Sequence, residues 1–562
     1  MAAYTPAVTH RAELLLLAAL GLGAAIVGAE LLVTTVALPS IVQDLAGWQE
    51  LRRASWIVNG FFVASVAVMP LAGRAADRFG LVGPLLTALL VFAIGSLLAG
   101  AAQSLDWLIA ARVLQGLGGG AIVPLATFGA SHLFGGHARA RALGIVGGLT
   151  FLGMAAGPFL GAVILQAFDL AGALGVAGLK GTTLYELTVP AWRWIFYLAA
   201  PVALLAALYV WAAAPGWPEP ERERAAFDLP GAAAFTVAFA AGLLALTWLG
   251  WPEAPGGIPG SLALAAVAVA SAALGLLIER RVAEPFLDPR IFRSGVFVGA
   301  VLVSGLTGYA LATGLVGGAV FVDRVRYGGP DEQRLVLGAL ALGMAVGAFV
   351  AGFLIRQLGP RVVTVAGLVL GASGLGALGV ATAATPTGVV AALLALFGLG
   401  FGLTVTPRSA AAVEALGQRA FGIAAAGVTQ ARFVGMAVGV AILTAFGSNK
   451  IEALSVVLTD QAARNAVLPP ALQGRPLEDP FVVDALERWA AGEAASILAG
   501  IFLVAALVML TALVPALLLG GRRRRAAEAG RAAEGAAHGA LGEGALGEGA
   551  LGDIAPENAP LL

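Results

Sequence analysis

The chain contains no cysteine among its 562 residues. That excludes disulfide frameworks, thiolate metal sites and cysteine nucleophiles. Only four histidines occur, His10, His132, His137 and His538, all outside the long apolar runs, which argues against haem or an intramembrane metal. Charge is scarce as well: Asp, Glu, Lys and Arg make up 12% of the residues, where soluble domains carry about 25%. The formal net charge is zero, so nothing points to nucleic acid. The two lysines, Lys180 and Lys450, lack the glycine frame of a phosphate loop, and no HExxH zinc helix is present. A membrane enzyme is therefore the weaker reading, and no cofactor or metal is expected.

What is present in excess is apolar. Hydrophobic residues make up 59% of the chain and its mean hydropathy is +0.91. Polar groups this few do not cover the surface of a chain this long, so lipid is its expected solvent. A helix needs about 20 apolar residues to cross a hydrocarbon core of about 30 Å. Fourteen runs qualify, near 14–37, 55–73, 82–102, 107–130, 143–167, 193–213, 229–250, 260–279, 296–322, 334–355, 362–383, 387–408, 421–446 and 494–520. The first is expected to be a span, because the N-terminus lacks the short core and cleavage site of a signal peptide.

Arginine placement gives the orientation. An inside N-terminus assigns Arg74, Arg78, Arg139, Arg141, Arg222, Arg224, Arg280, Arg281, Arg356, Arg361, Arg408 and the run Arg522–Arg525 to cytoplasmic segments. The outer segment 447–493 instead holds seven acidic and four basic residues. This bias is the positive-inside pattern, and it puts both termini in the cytoplasm. After Arg525 the chain repeats Ala-Leu-Gly-Glu-Gly, too poor in apolar groups to fold, and disorder is expected.

The chain also repeats itself on a larger scale. Gly73-Arg74-Ala75-Ala76-Asp77-Arg78-Phe79-Gly80 reads as a tight charged loop after the second span, and Gly352 to Arg361 stands in the same place after the tenth. The expected organisation is an N-terminal six-helix bundle (1–213), loops with two inserted spans (214–294), a C-terminal six-helix bundle (295–521) and a disordered tail (522–562). Transporters built from such repeats bind substrate near the midplane between the halves.

A few polar residues stand out inside the spans. Glu30 is the lone carboxylate deep in a span, and an ionisable group there costs at least about 2.5–3.5 kcal/mol. Burial disfavours the charged form of a carboxylate, which suits a proton carrier; the alternative is an acid satisfied by hydroxyls or an arginine. Arg112, early in the fourth span, is expected to partner an acid, with Gln115 one turn along the same face, or else to snorkel outward. Arg432, taken as the deepest cation of the second half, is expected to hold a substrate carbonyl, to face a carboxylate, or to bond backbone carbonyls. Thr34, Asn59, Gln115, Gln430 and Arg432 are the expected polar lining of a substrate cavity. Gly153, Gly157, Pro158 and Gly161 in the fifth span combine close helix approach with a bend. Gly73, Asp77, Arg78 and Gly80 are the expected gating residues.

Taken together, these motifs resemble those of the fourteen-span drug:proton antiporter group of the major facilitator superfamily. Val36-Ala37-Leu38-Pro39 ends span one with Glu30 upstream where the group usually has Asp; Arg112 to Gly120 and Gly153 to Gly161 match the motifs of spans four and five; Trp192 to Tyr197 matches the start of span six. The resemblance implies an all-α membrane protein of the major facilitator fold, two six-helix bundles plus two linker helices. It implies proton-coupled export of lipophilic compounds by a monomer in a bacterial inner membrane, with Glu30 and Arg112 coupling the proton. The loop motif departs from the pattern at Leu81 and Val82, where a basic pair is usual. Trp56-Ile57-Val58, Met69 to Arg74, Ala431-Arg432 and the long outer segments are also similar to a branch that exports triacylglycerides. That branch's extra acid in span five is absent between Leu149 and Ala155.

Overall fold

The computed structural model describes residues 10–45, 54, 56–134, 136–167, 180–216, 228–249, 256–282, 289–417 and 421–520, and these contain helices and no strand. The chain separates into two units, Met1–Leu519 and Gly520–Leu562. The expected disordered tail and the Arg522–Arg525 run lie outside the described residues, as do Arg222 and Arg224. Twelve described helices are long and apolar enough to cross a membrane.

The first half is built from α1 (His10–Leu45), α2 (Trp56–Phe79), α3 (Val82–Gly100), α4 (Leu105–Leu133), α5 (Gly136–Ala167) and α6 (Trp192–Ala213). Two helices follow, α7 (Leu229–Leu249) and α8 (Gly257–Glu279). The second half comprises α9 (Gly295–Val320), α10 (Pro330–Leu378), α11 (Thr387–Leu416), α12 (Phe421–Thr459) and α13 (Pro480–Thr511). Local chemistry sets several starts. The Ser104 and Ser294 side chains accept the backbone N–H groups of Trp107 and Phe297, and Asp479 accepts that of Phe481 ahead of Pro480. Such caps satisfy donors that a helix leaves open at its N-terminus. α13 starts well ahead of the apolar run 494–520, at Pro480, so the end of the outer segment 447–493 is helical.

The repeat seen in the sequence is a repeat of backbone geometry. Gly80 ends α2 at φ +79°, and Gly359 interrupts α10 at φ +79°. Both are left-handed conformations that side-chain-bearing residues adopt only with strain. The expected charged loop is shorter than its motif, however. Arg74, Asp77 and Arg78 lie on the last turns of α2, and only Gly80 and Leu81 form the turn. His132 and His137 likewise fall on helix, at the end of α4 and the start of α5.

Within the first half α1 packs on α5 and α6, and α2 packs on α4; α9 packs on α12 and α10 on α11 in the second. Two seams join the halves, α5 against α10 and α2 against α12, and α7 lies across the second seam. The outward faces are apolar. On α8 only Ser261, Gly275 and Glu279 are buried, while Leu262, Val269 and Leu277 stand exposed. A soluble protein rarely shows so continuous an apolar surface.

Candidate functional site: a buried ion pair and an inter-half cavity

The first polar cluster lies inside the first half. Glu30 on α1 and Arg112 on α4 are each 1% exposed, and Arg112 Nη1 donates to Glu30 Oε1 at 2.5 Å. The Thr34 hydroxyl, one turn along α1, donates to the same carboxylate oxygen at 3.1 Å. Arg112 Nη1 also donates to Gln115 Oε1 at 2.5 Å, and its Nε donates to the Ile57 carbonyl at 3.0 Å. Gln115 Nε2 in turn donates to Ser96 Oγ at 2.8 Å. The guanidinium lies over the Phe61 and Phe196 rings, 4.4 and 5.5 Å from their centroids. Five helices, α1 to α4 and α6, thus meet around one charge pair, and nearly every polar atom in it has a partner, as low-dielectric burial requires. Asn59 is half-buried on α2 and takes no part in this network.

Small residues tie the acid's helix to α5. A Cβ on Gly28 would sit 1.9 Å from the Thr150 carbonyl oxygen, and one on Gly153 would sit 2.0 Å from that of Ala25. No side chain fits at either crossing. The glycine spacing therefore acts within the first half, holding α5 against the segment of α1 that bears Glu30. Gly157 and Gly161 are buried further along α5, and Pro158 lies within the helix.

A second cluster forms in the other half, and here the sequence expectations need correction. Arg408, assigned above to a cytoplasmic segment, is 1% exposed inside α11. Its Nη1 donates to the hydroxyls of Thr307 at 2.5 Å and Thr404 at 3.1 Å. Arg408 rather than Arg432, at 8% exposure, is the deeper cation of this half. The position following Pro407 at the end of an apolar run reads as a span boundary, but α11 continues to Leu416 and carries the residue inside. Thr307 and Thr404, absent from the expected site, are legible only as hydroxyls in apolar helices. Arg193, one residue inside α6, is also buried; it donates to the carbonyls of Gly100 and Ala102 at 2.8 and 2.5 Å.

Arg432 faces a small cavity of about 30 Å³ between the halves, walled by Thr127, Thr150 and Phe151 from the first and Thr406, Ser409 and Thr429 from the second. A larger apolar cavity of about 260 Å³ lies at the α2/α12 seam under α7, lined by Pro70, Phe235, Phe239, Phe297 and Gln430 among others. Gln430 donates weakly across the seam to the Val66 carbonyl at 3.4 Å. Of the expected cavity residues, Gln430 and Arg432 line these spaces, whereas Thr34 and Gln115 belong to the ion-pair network.

The expected gating residues meet the opposite half. Asp77 accepts the backbone N–H groups of Gly422 at 2.7 Å and Ile423 at 3.0 Å, at the start of α12. That arrangement matches a carboxylate to the positive end of a helix. Gly73 and Gly422 let the two backbones meet, since a Cβ on Gly73 would lie 2.5 Å from the Gly422 carbonyl oxygen and one on Gly422 2.0 Å from that of Gly73. Arg78 rests 5.2 Å from the centroid of the Phe79 ring.

Among proteins of known role, a triacylglyceride transporter of Mycolicibacterium hassiacum is 30% identical over 463 residues, 78% of this chain and 79% of that protein. A multidrug transporter of Bacillus subtilis is 26% identical over 420 residues, 73% and 70% of the two chains. The solved structure of a bacterial homologue of the human lysosomal transporter Spinster matches with a TM-score of 0.55 at 19% identity, covering 91% of this chain and 99% of that one. Residues 20–440 match the family model described as Major Facilitator Superfamily. On that match, a fold of paired helical halves around a central cavity and relatives that are themselves transporters, the chain belongs to the Major Facilitator Superfamily.

Proposed function

We propose that this protein is a proton-coupled exporter of lipophilic compounds that works by alternating access, with Glu30 as the proton-carrying group. The observation that carries the reading is the Glu30–Arg112 pair, buried in an otherwise apolar bundle. Arginine stays protonated in proteins, so protonation of Glu30 is the event that changes the cluster's charge. Loss of the negative charge frees Arg112 to lean on Gln115 and the Ile57 carbonyl, and α1 shifts relative to α4. The tight α1–α5 crossing passes that shift to Thr150 and Phe151, which wall the central cavity. Asp77 latches the cytoplasmic ends of α2 and α12 and opens when the halves rock.

The membrane arrangement proposed is fourteen spans in a bacterial inner membrane, both termini cytoplasmic, in a monomer. Bundles at 1–213 and 295–521 flank the inserted pair. Its support is geometric: the 49 residues of α10 make a rod of about 74 Å at 1.5 Å per residue. That is more than twice the roughly 30 Å core, and Gly359 breaks the rod. The 21 residues of α7 add a further crossing. Energetics permit the cycle. One proton moving down 100 mV supplies about 2.3 kcal/mol, and each pH unit about 1.4 kcal/mol.

Export of lipids such as triacylglycerides is the second reading, favoured by the apolar lining of the α2/α12 cavity and the mycobacterial relative. Proteoliposomes with imposed pH and voltage gradients test both, loaded with a cationic dye, a fluorescent triacylglyceride or a fluorescent fatty acid. Gradient-driven flux of any of these that disappears in Glu30→Gln is expected. Undiminished uphill flux in that variant ends the proposal.

A further inference from the structure

We infer that the cavity between the halves receives the anionic head of an amphipathic substrate, a carboxylate or phosphate carried on an apolar chain, with Arg432 as its binding group. The inference rests on the transport reading and names the substrate class it leaves open.

Charge around this cavity is out of balance. Arg432 is more than nine-tenths buried, and among the described residues it makes no hydrogen bond and no ion pair. Its only partners there are the faces of Phe151 and Phe433, at 5.9 and 5.5 Å. A guanidinium has five donors and a strong demand for a planar acceptor. Behind the wall sits Arg408, which donates to two threonine hydroxyls and lies 5.4 Å from the centroid of the Phe401 ring, its Nε without an acceptor. The hydroxyl protons of Thr307 and Thr404 go to the carbonyls of Val303 and Phe401, both at 2.7 Å, so neither is a source of negative charge. Among the described residues no carboxylate lines the cavity. A buried cation without a counter-charge is costly unless its partner arrives from outside.

The rest of the wall suits the same guest. The Thr127, Thr150 and Thr406 hydroxyls already donate to the carbonyls of Val123, Val146 and Ala348. Ser409 and Thr429 make no hydrogen bond among the described residues, so their O–H groups are available to donate into the cavity. Arg432 and these two hydroxyls form a triad of donors, the complement of a carboxylate or phosphate. Two residues earlier on α12, Gln430 lines the larger apolar cavity with Pro70, Phe235 and Phe297. Thr429 and Arg432 thus border a polar socket on one face of α12, and Gly427, Gln430 and Val434 border an apolar trough on roughly the opposite face. A lipophilic cation would meet two guanidiniums, and a neutral lipid would leave both without a counter-charge.

The test uses the purified full-length protein in nanodiscs of phosphatidylcholine, titrated calorimetrically at constant pH with oleate, methyl oleate, oleylamine and inorganic phosphate. Oleate is expected to bind at least tenfold more tightly than methyl oleate or oleylamine. Arg432→Gln is expected to bring oleate down to the level of methyl oleate, whose own affinity does not move. Arg432→Lys should keep part of the preference. Should Arg432→Gln fail to fold, Thr429→Val and Ser409→Ala decide between the outcomes, each weakening oleate several-fold and methyl oleate not at all. Equal binding of oleate and its ester, or a preference that survives both hydroxyl deletions and a folded Arg432→Gln, overturns the inference. So does phosphate binding as tightly as oleate, which would make the site one for a resident counter-ion. These arms need no gradient and separate from the transport reading. Carboxylate-selective binding with no gradient-driven flux of dye, triacylglyceride or fatty acid sinks the transport reading alone, and gradient-driven export with no carboxylate preference sinks the inference alone.

Discussion

The two halves of this protein hold their buried charges in opposite ways. In the first, Arg112 is closed on Glu30 and almost every lone pair and proton around it is used. In the second, Arg408 and Arg432 have hydroxyls and aromatic faces but no carboxylate among the described residues. Even at the seam the acid comes from the first half, where Asp77 reaches the start of α12. The difference teaches that the repeat preserved helices and turns but not electrostatics. One half answers its buried cation with its own carboxylate, and the other, among the described residues, does not.

The strongest way to break that contrast is Glu30→Gln. Removing one member of a buried pair costs up to about 3–5 kcal/mol, so a lower unfolding temperature and loss of gradient-driven export are expected together. The double variant Glu30→Gln with Arg112→Gln should regain most of the stability and none of the coupling, as read by thermal unfolding and proteoliposome flux. Next in size is Asp77→Ala. Hydrogen bonds to charged groups contribute about 1.5–3 kcal/mol each, so losing two should shift the open population at least about tenfold. Because the chain lacks cysteine, Ser409→Cys labelled from the cytoplasmic side reports that shift cleanly.

Arg408→Met probes the other half. The freed Thr307 and Thr404 hydroxyls keep their backbone acceptors, and an uncompensated charge leaves the core. Unfolding temperature is expected to hold or rise, opposite in sign to Glu30→Gln. A fall as large as that of Glu30→Gln would mean the two halves store charge alike after all. The smallest effect belongs to Gln430→Leu, which removes one 3.4 Å bond to the Val66 carbonyl. Transport rate should change less than about tenfold, since a neutral hydrogen bond contributes only about 0.5–1.5 kcal/mol net.

Much of the first half is legible in the sequence. Glu30, Arg112 and Gln115 stand out because charge and amide are rare in apolar helices, and their spacing places Arg112 and Gln115 on one face. The glycines of α5 predict a close crossing, and Gly153 makes one against Ala25. Arg408 misleads because a cation after a proline looks like the end of a span, and only the extension of α11 shows otherwise. The loop around Asp77 misleads in the other direction, since α2 runs on to Phe79.

Composition and apolar run length by themselves determined that the chain is helical and lives in lipid, because an unpaired backbone in hydrocarbon has no other stable solution. Glycine and arginine spacing likewise determined the repeat. Which charges are answered and which stand alone was decided only in three dimensions. The partners lie 82 residues apart for Glu30 and Arg112, and 101 for Arg408 and Thr307. A linear sequence records the cost of burying a charge but not the neighbour that offsets it.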